Sequence, residues 1–495
     1  MMHSTSNWLQ MHARFRPDAE AVFDVDHDRR WTYAELYRDS LLWAGRLQEQ
    51  GVVAGDVVSL LSHNRGEHFA LLFACAELGA VFAPMNWRLA PGEWDWQIEH
   101  SRATVVLAEP EFAAKLSCDT LDLAAGPGER LVCDAPGSRL SDPWVLMYTS
   151  GTTGRPKGAL LTHRQLQWNA TNTLLACDLN PQDSTLTFTP LFHTGGLNSL
   201  STPLLHRGGR VVLTQKVDPA QALGLIQSEG ITLLMGVPTI FQMLADHPDF
   251  PSTDCSTVRD ALCGGAPTGA ALLKTYLDRK IPLRQGFGMT EVGPNCFSLP
   301  PARVQDKLGS VGQPIHHIAM RLVDPDGNDV PAGQDGELLL AGPAVFGGYL
   351  DNPEATAKAM VDGPGGPWFR TGDILSRDEE HFYYVRGRSK EMFISGAENV
   401  YPAEIEAVLL QCEKVASAAV IGVPDARWGE VGRAFIEPRP GASLAATELR
   451  AFLDGKLARY KLPKSYVVQA ALPRTASGKI DKQALALLGE TQTPT

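Results

Sequence analysis

Residues 147–163 read MYTSGTTGRPKGALLTH, three glycines, four threonines, a serine and a lysine within a few turns of chain, directly after the apolar run WVLM. So small and polar a stretch builds no core. Backbone N–H groups left unhindered at Gly151, Gly154 and Gly158 can curl around an anion as a nest, and the hydroxyls of Thr149, Ser150, Thr152 and Thr153 add donors. Lys157 adds a full positive charge. Entered from a strand and followed by a helix predicted over ALLTHRQLQWNAT, the loop is placed as phosphate loops are, and it reads as a cradle for a polyphosphate. It is not the Walker pattern, which requires Gly-Lys-Ser/Thr where this chain has Pro156-Lys157-Gly158. The bland alternative is a flexible linker, which has no need of strand entry, glycines and a lysine in this order.

On either side the chain alternates strand and helix. DVVSLLS (56–62) reads as a buried strand, GEHFALLFACAELG (66–79) as a helix stopping at Gly79, then AVFAPM, a helical EWDWQIEHS and the strand ATVVLAE. That rhythm is the signature of βαβ units on a parallel sheet. It returns at RVVL (210–213), at DPAQALGLIQSEG with Asp218 as N-cap and Pro219 as first helical residue, and at ITLLMGVP (231–238). Beyond about residue 300, turn signals bracket short strands in LVDPDGNDVPAGQDGELLLAG, which predicts an antiparallel patch. A boundary is expected near VRGRSKEMF (385–393). The expectation is therefore an α/β protein: a large N-terminal domain (1–388) of βαβ-type sheets with a small antiparallel β patch, then a small mixed α/β C-terminal domain (389–495).

At 495 residues the chain exceeds one ordinary core, and its composition, 44% hydrophobic and 20% charged, is that of a globular protein. A net charge of −12 argues against a nucleic-acid surface. No apolar run is long enough to span a bilayer and the N-terminus lacks an apolar leader core, so the expected location is the cytoplasm. The eight cysteines are scattered without a C-x-x-C pair, which favours free thiols in a reducing compartment. A homodimer is left open.

The loop YTSGTTGRPKG resembles the signature of the adenylate-forming superfamily, which includes acyl- and aryl-CoA synthetases. LCGGAP (262–267), QGFGMTE (285–291), WFRTGD (368–373), VRGRSKEMFISGAENVYPAEIE (385–406) and PRTASGKI (473–480) extend the resemblance, in order, along nearly the whole chain. It implies an enzyme that uses ATP and Mg²⁺ to turn a carboxylic acid into acyl-AMP, then transfers the acyl group to coenzyme A, with a mobile C-terminal domain hinged at Lys390. Both half-reactions are mostly positioning and charge stabilisation.

The resemblance also assigns residues. Thr149, Ser150, Gly151, Thr152, Thr153, Gly154 and Lys157 would hold the β- and γ-phosphates. Gly265, Ala266 and Pro267, with Gly286, Phe287, Gly288 and Met289, would wall the adenine and the acyl group. Thr290 would bond the α-phosphate, and Glu291, with Thr149 as a second candidate, would ligate Mg²⁺. Asp373 would take the ribose hydroxyls with its two acceptor oxygens, helped by Arg388. Lys479 would bridge the attacking carboxylate and the α-phosphate. For the second half-reaction the C-terminal domain would turn, bringing Gly396, Ala397 and Glu398 to the pantetheine passage and Trp428 and Tyr460 to the coenzyme A path. The family has Gly-Gly where this chain has Gly396-Ala397, and Leu462 replaces an arginine found in one aryl-CoA ligase, which leaves Lys461, Lys464 or Arg88 to hold the CoA phosphates.

His193, in PLFHTGGL, would guard the acyl site; a plain buried histidine is the alternative. Amino-acid-activating relatives tend to carry aspartate there, so an α-amino acid is a poor candidate. The acyl pocket should draw on Phe192, Met235, Val237, Phe241, Gly264 and Gly288, apolar or small residues with no charge to meet a second polar group. Room at Gly264, Gly265 and Gly288 favours a medium- or long-chain fatty acid. The alternatives are a benzoate-type aryl acid, an acyl-AMP ligase loading a carrier protein, and a silent ligand-binding homologue.

Overall fold

The computed structural model describes residues 7–132, 137–149, 156–266, 268–395, 398–425, 427–475 and 478–491, except for the side chains of 398–399 and 489–491. The predicted alternation is present element by element. Val57–Leu61, Val81–Pro84 and Ala103–Ala108 are strands, separated by the helices Glu67–Leu78 and Pro91–Ser101. With Leu121–Asp122, Pro143–Thr149 and Lys157–Thr162 they form a six-stranded sheet, parallel except for its last hairpin. A seven-stranded sheet runs in the order Leu283–Gln285, Asp260–Cys263, Leu233–Gly236, Ser184–Thr187, Arg210–Leu213, Glu20–Asp24 and Arg29–Thr32, antiparallel only at the last pair. Asp218 caps the helix Pro219–Ser228 by accepting from the Gln221 N–H.

Strands buried on both faces need apolar residues at nearly every position, and VVSLL at 57–61 is buried throughout. The helix Glu67–Leu78 is buried on almost all sides, as its lack of a polar face requires. One continuous core joins Val22 and Leu213 of the seven-stranded sheet, Val58 and Phe82 of the six-stranded sheet, and Leu338 and Leu340 of an antiparallel sheet. That antiparallel sheet is the predicted patch: Ala319–Val323, Asp335–Ala341, Gly366–Arg377, Met360–Gly363 and Tyr383–Arg388.

The chain leaves this sheet at Arg388 and enters another at Phe393, where Phe393–Ser395, Glu398–Val400, Val415–Asp425, Gly429–Pro438 and Ser465–Val468 pair. Among the described residues, the hydrophobic clusters beyond Phe393 contain no side chain from before it. No helix is long and apolar enough to cross a membrane among the described residues. Among the described residues seven cysteines are free thiols, five of them buried.

One local expectation is corrected. The glycine-threonine loop does not run straight into a helix: Lys157–Thr162 is a strand antiparallel to Pro143–Thr149, with Thr149 opposite Lys157. The helix starts only at His163, capped by the Thr162 hydroxyl on the Gln165 N–H. A distant segment supplies the reason. The Leu160 N–H bonds the Gly348 carbonyl at 3.0 Å and the Leu350 N–H bonds that of Gly158 at 2.7 Å, partners that local propensity cannot anticipate. The strands flanking the glycine-threonine loop therefore pair with each other, and no helix begins directly after it.

The seven-stranded sheet carries a buried ion pair. Arg284, 1% exposed, donates through Nε to Asp260 Oδ1 at 2.7 Å and through Nη1 to the Ser298 hydroxyl and the Leu299 carbonyl. Burial pushes the Arg284 pKa down, but the Asp260 carboxylate and its neighbours more than offset this and keep the guanidinium charged. Breaking such a pair from one side strands a buried charge. Asp260→Ala should lower stability by about 3–5 kcal/mol, measured as the shift in chemical unfolding midpoint at constant slope.

Candidate active site at the carboxyl ends of the parallel strands

Four neighbouring strands of the seven-stranded sheet, Ser184–Thr187, Leu233–Gly236, Asp260–Cys263 and Leu283–Gln285, run in the same direction. Their carboxyl ends deliver, in turn, Phe192-His193, Val237, Gly264-Gly265 and Gly286-Phe287 to one edge, where open α/β sheets place their ligands. Hydrogen bonds from the Gly264 N–H to Gly236 and from the Gly286 N–H to Cys263 carry the pairing one residue past each strand.

The glycines differ in purpose. A Cβ on Gly264 or Gly286 would make only ordinary contacts with backbone, at 3.6 and 3.7 Å, so both present a bare peptide wall. Gly265 has φ +81°, a conformation that side chains disfavour, and Val237 stands beside it. The expectation that Gly288 makes room for substrate is corrected, because a Cβ there would sit 2.1 Å from the Pro294 carbonyl oxygen. Phe241 is likewise not a pocket residue: fully buried, it packs edge-on against Tyr276 in the core. Met235 reaches the other side, its terminal methyl 3.3 Å from where a Cβ on Gly195 would lie. Phe192 is buried; Phe287 and Met289 are half-buried against the main core, and Ala266 is exposed.

Thr290, Glu291 and Val292 form a single 3₁₀ turn. The Glu291 Oε1 accepts from the Tyr349 hydroxyl at 2.8 Å, and its carbonyl accepts from the Phe346 N–H. Lys157 Nζ lies over the same Tyr349 ring, 4.9 Å from its centroid. The Thr149 hydroxyl donates to the Lys157 carbonyl at 3.3 Å across the hairpin. Tyr349 thus ties the foot of the glycine-threonine loop to the Glu291 turn, a role that no sequence motif announced. The nearest signal is the Gly-Gly-Tyr run just before a helix capped by Asn352.

Asp373 and Arg388 are register partners in adjacent antiparallel strands. Arg388 Nε lies 2.7 Å from Asp373 Oδ1, while Asp373 Oδ2 is buried with no partner. Burial pushes the Asp373 pKa up to about 6, although Arg388 and Lys479 pull it down. An orphaned acceptor is what a ligand hydroxyl would satisfy, so the residue fits a ribose.

Lys479 comes from the other unit, on a tight turn in which the Thr475 N–H bonds the Lys479 carbonyl at 2.7 Å and Gly478 has φ +83°. Crowding by protein pushes its pKa down, helped by Arg388, while Asp373, Glu291 and Glu391 oppose. The residue as a whole keeps solvent access, so water screens part of that cost. His193 feels the same ammonium: burial, Lys479 and Arg88 push its pKa down to about 4, leaving a neutral ring whose buried Nε2 has no partner. Glu291, Asp373, Arg388, His193 and Lys479 therefore share one electrostatic neighbourhood, though they are scattered over 287 positions of sequence from His193 onward to Lys479 by chain order alone.

Ser150, Gly151, Thr152, Thr153, Gly154, Pro267, Gly396 and Ala397 lie outside the described residues, as does the Glu398 side chain. Trp428 is 39% exposed rather than packed in a core, with Arg427 and Lys464 near its ring. Lys390 sits in the short connection between the two sheets.

The AMP-binding enzyme family model matches residues 9–350, and its C-terminal domain model matches 404–479. The chain is 43% identical to a feruloyl-CoA synthase from Amycolatopsis sp., covering 96% of this chain and 97% of that protein. It is 39% identical to an indoleacetate–CoA ligase from Aromatoleum aromaticum, covering 96% of each. The o-succinylbenzoate coenzyme A synthetase of Bacillus subtilis, solved in complex with ATP and magnesium ion, superposes with a TM-score of 0.88 at 31% identity over 97% of this chain and 99% of that one.

Because its folded pKa lies above the ordinary 3.8, Asp373 costs stability as pH rises from there through about 6. Asp373→Asn should therefore raise the thermal midpoint near neutral pH, with the gap to the parent narrowing on acidification. ATP should no longer raise that midpoint. Arg388, 48% exposed, tolerates losing its partner. A variant less stable than the parent at neutral pH would contradict the reading.

Proposed function

The chain belongs to the AMP-binding enzyme family, and from that premise we propose that it is an ATP-dependent aromatic acid–coenzyme A ligase. The observation that supports it most is the gathering of Lys479, Asp373, Glu291 and His193 in one electrostatic neighbourhood. In the first step a carboxylate oxygen bonds the α-phosphorus as the bond to the β-phosphate oxygen breaks and pyrophosphate leaves. In the second, the coenzyme A sulfur bonds the acyl carbon and AMP departs.

Asp373 Oδ2 would accept from a ribose hydroxyl and fix the nucleotide. The Lys479 ammonium would offset the negative charge that grows during attack on phosphorus. Neutral His193, with Nε2 free to donate or accept, would hold the acyl end without adding charge beside Lys479. Tyr349 engages only one oxygen of Glu291, which fits a carboxylate that also takes a hard cation. Magnesium held there would neutralise the triphosphate.

Two considerations favour an aromatic acid over the fatty acid expected from glycine count. The names of the relatives are those of aromatic-acid ligases. The wall at Gly264 and Gly286 is flat backbone without a side chain, which suits a planar ring. The turn of the C-terminal unit between steps, about Lys390, belongs to the same proposal.

ATP–pyrophosphate exchange over a panel of acids tests the reading. Ferulate- and indoleacetate-type acids should exceed straight-chain fatty acids by roughly tenfold or more in kcat/KM; the reverse order would reject the aromatic assignment. Lys479→Ala should slow acyl-AMP formation by about 10²–10³ while leaving thioester formation from supplied acyl-AMP nearly intact.

A further inference from the structure

Lys482 follows Lys479 by three positions and opens the helix Lys482–Thr491. Its Nζ lies 2.6 Å from Glu391 Oε2 and 2.8 Å from Glu406 Oε1, with the side chain 24% exposed. The two carboxylates have different attachments. Glu406 is buried in the helix Pro402–Leu409, where Oε1 also accepts the Val420 N–H at 2.8 Å, so it is a fixed post. Glu391 lies in the connection between the two sheets, beside Lys390, and its N–H bonds the Arg388 carbonyl at 3.0 Å.

Arg388 is the partner of Asp373. A continuous series of polar links thus runs from Asp373 through Arg388 and Glu391 to Lys482, and from there along less than one helical turn of chain to Lys479. Among the described residues the Lys479 turn is closed by hairpin bonds between Thr475 and residues 478–479, by Arg474 Nη1 donating to the Gly478 carbonyl and by the Asp481 N–H on the Pro473 carbonyl. Both Gly478 and Lys479 are exposed. These bonds shape the turn itself, and its seat against the site also depends on the flanking helix that Lys482 opens.

We propose that Lys482 is a positioning residue for acyl-AMP formation: by joining Glu391 of the connecting segment to the Glu406 post, it holds the Lys479 turn against the site. An isolated surface pair contributes little, but here one ammonium separates two carboxylates. Removing it leaves like charges facing each other and cuts a tie between the connecting segment and the helix that follows the Lys479 turn. Burial pushes the Lys482 pKa down, and Glu406 and Glu391 more than offset this, so the bridge stays charged. A misplacement of about 1 Å at Lys479 would suffice for up to a 10²-fold loss.

The inference rests on the two-step reading above, so the experiment separates them. Lys482→Met, Lys482→Arg, Glu391→Gln and Lys479→Ala are each assayed for ATP–pyrophosphate exchange and for thioester formation from supplied acyl-AMP. Lys482→Met should lower exchange by roughly ten- to a hundredfold, leave thioester formation within about twofold, and be largely rescued by Lys482→Arg. Glu391→Gln, which removes only one arm of the bridge, should show the same split in weaker form and decides the matter if Lys482→Met does not fold. Equal loss in both half-reactions, or no loss, with Lys479→Ala still splitting them, overturns the positioning role alone. If Lys479→Ala does not split them either, the two-step reading falls and this inference with it.

Discussion

A buried carboxylate with one oxygen paired and the other bare is a costly arrangement, and Asp373 holds one against a guanidinium that is itself half in water. The antiparallel register sets Asp373 opposite Arg388. The surrounding core, continuous across three sheets, supplies the rigidity that keeps the carboxylate from turning out to solvent. A polar group that the fold could have satisfied but did not is best explained by a ligand that does so. The rest of the cleft is organised around that point.

Charge balance there depends on a residue brought from another unit. The Lys479 ammonium faces Glu291, Asp373 and Glu391 beside the guanidinium of Arg388, while Glu391 also pairs with Lys482. Tyr349 does comparable work on the other flank, spending its hydroxyl on Glu291 and its ring face on Lys157. The two flanks thereby become mechanically linked: the segment around residues 346–350 hydrogen-bonds both the strand leaving the glycine-threonine loop and the Glu291 turn.

Much of this was legible in the chain. Strands with no polar face, the Asp218-Pro219 helix start and the turn-rich antiparallel patch follow from local pattern, and the ordered motifs marked Lys157, Glu291, Asp373, Arg388 and Lys479. The hairpin after the glycine-threonine loop was not legible, since the bonds that favour a strand there come from Gly348 and Leu350. Nor was the difference between Gly264, where a Cβ would meet only ordinary contacts, and Gly288, where it would press on the Pro294 carbonyl. Identical residues in similar motifs serve opposite ends. Counting glycines as pocket space accordingly treats two different surroundings as one.

What the sequence determined by itself was therefore the class of fold, the order of elements and the chemical kinds of residue at the site, because periodicity, capping and motif are short-range properties. Tertiary structure alone decided which oxygen of Asp373 stays bare, that Tyr349 pairs with Glu291 58 positions away, and that Lys482 bridges Glu391 and Glu406. The physical reason is that charge pairing and desolvation depend on distances through space, and residues far apart in the chain carry no local mark of the partner that folding gives them.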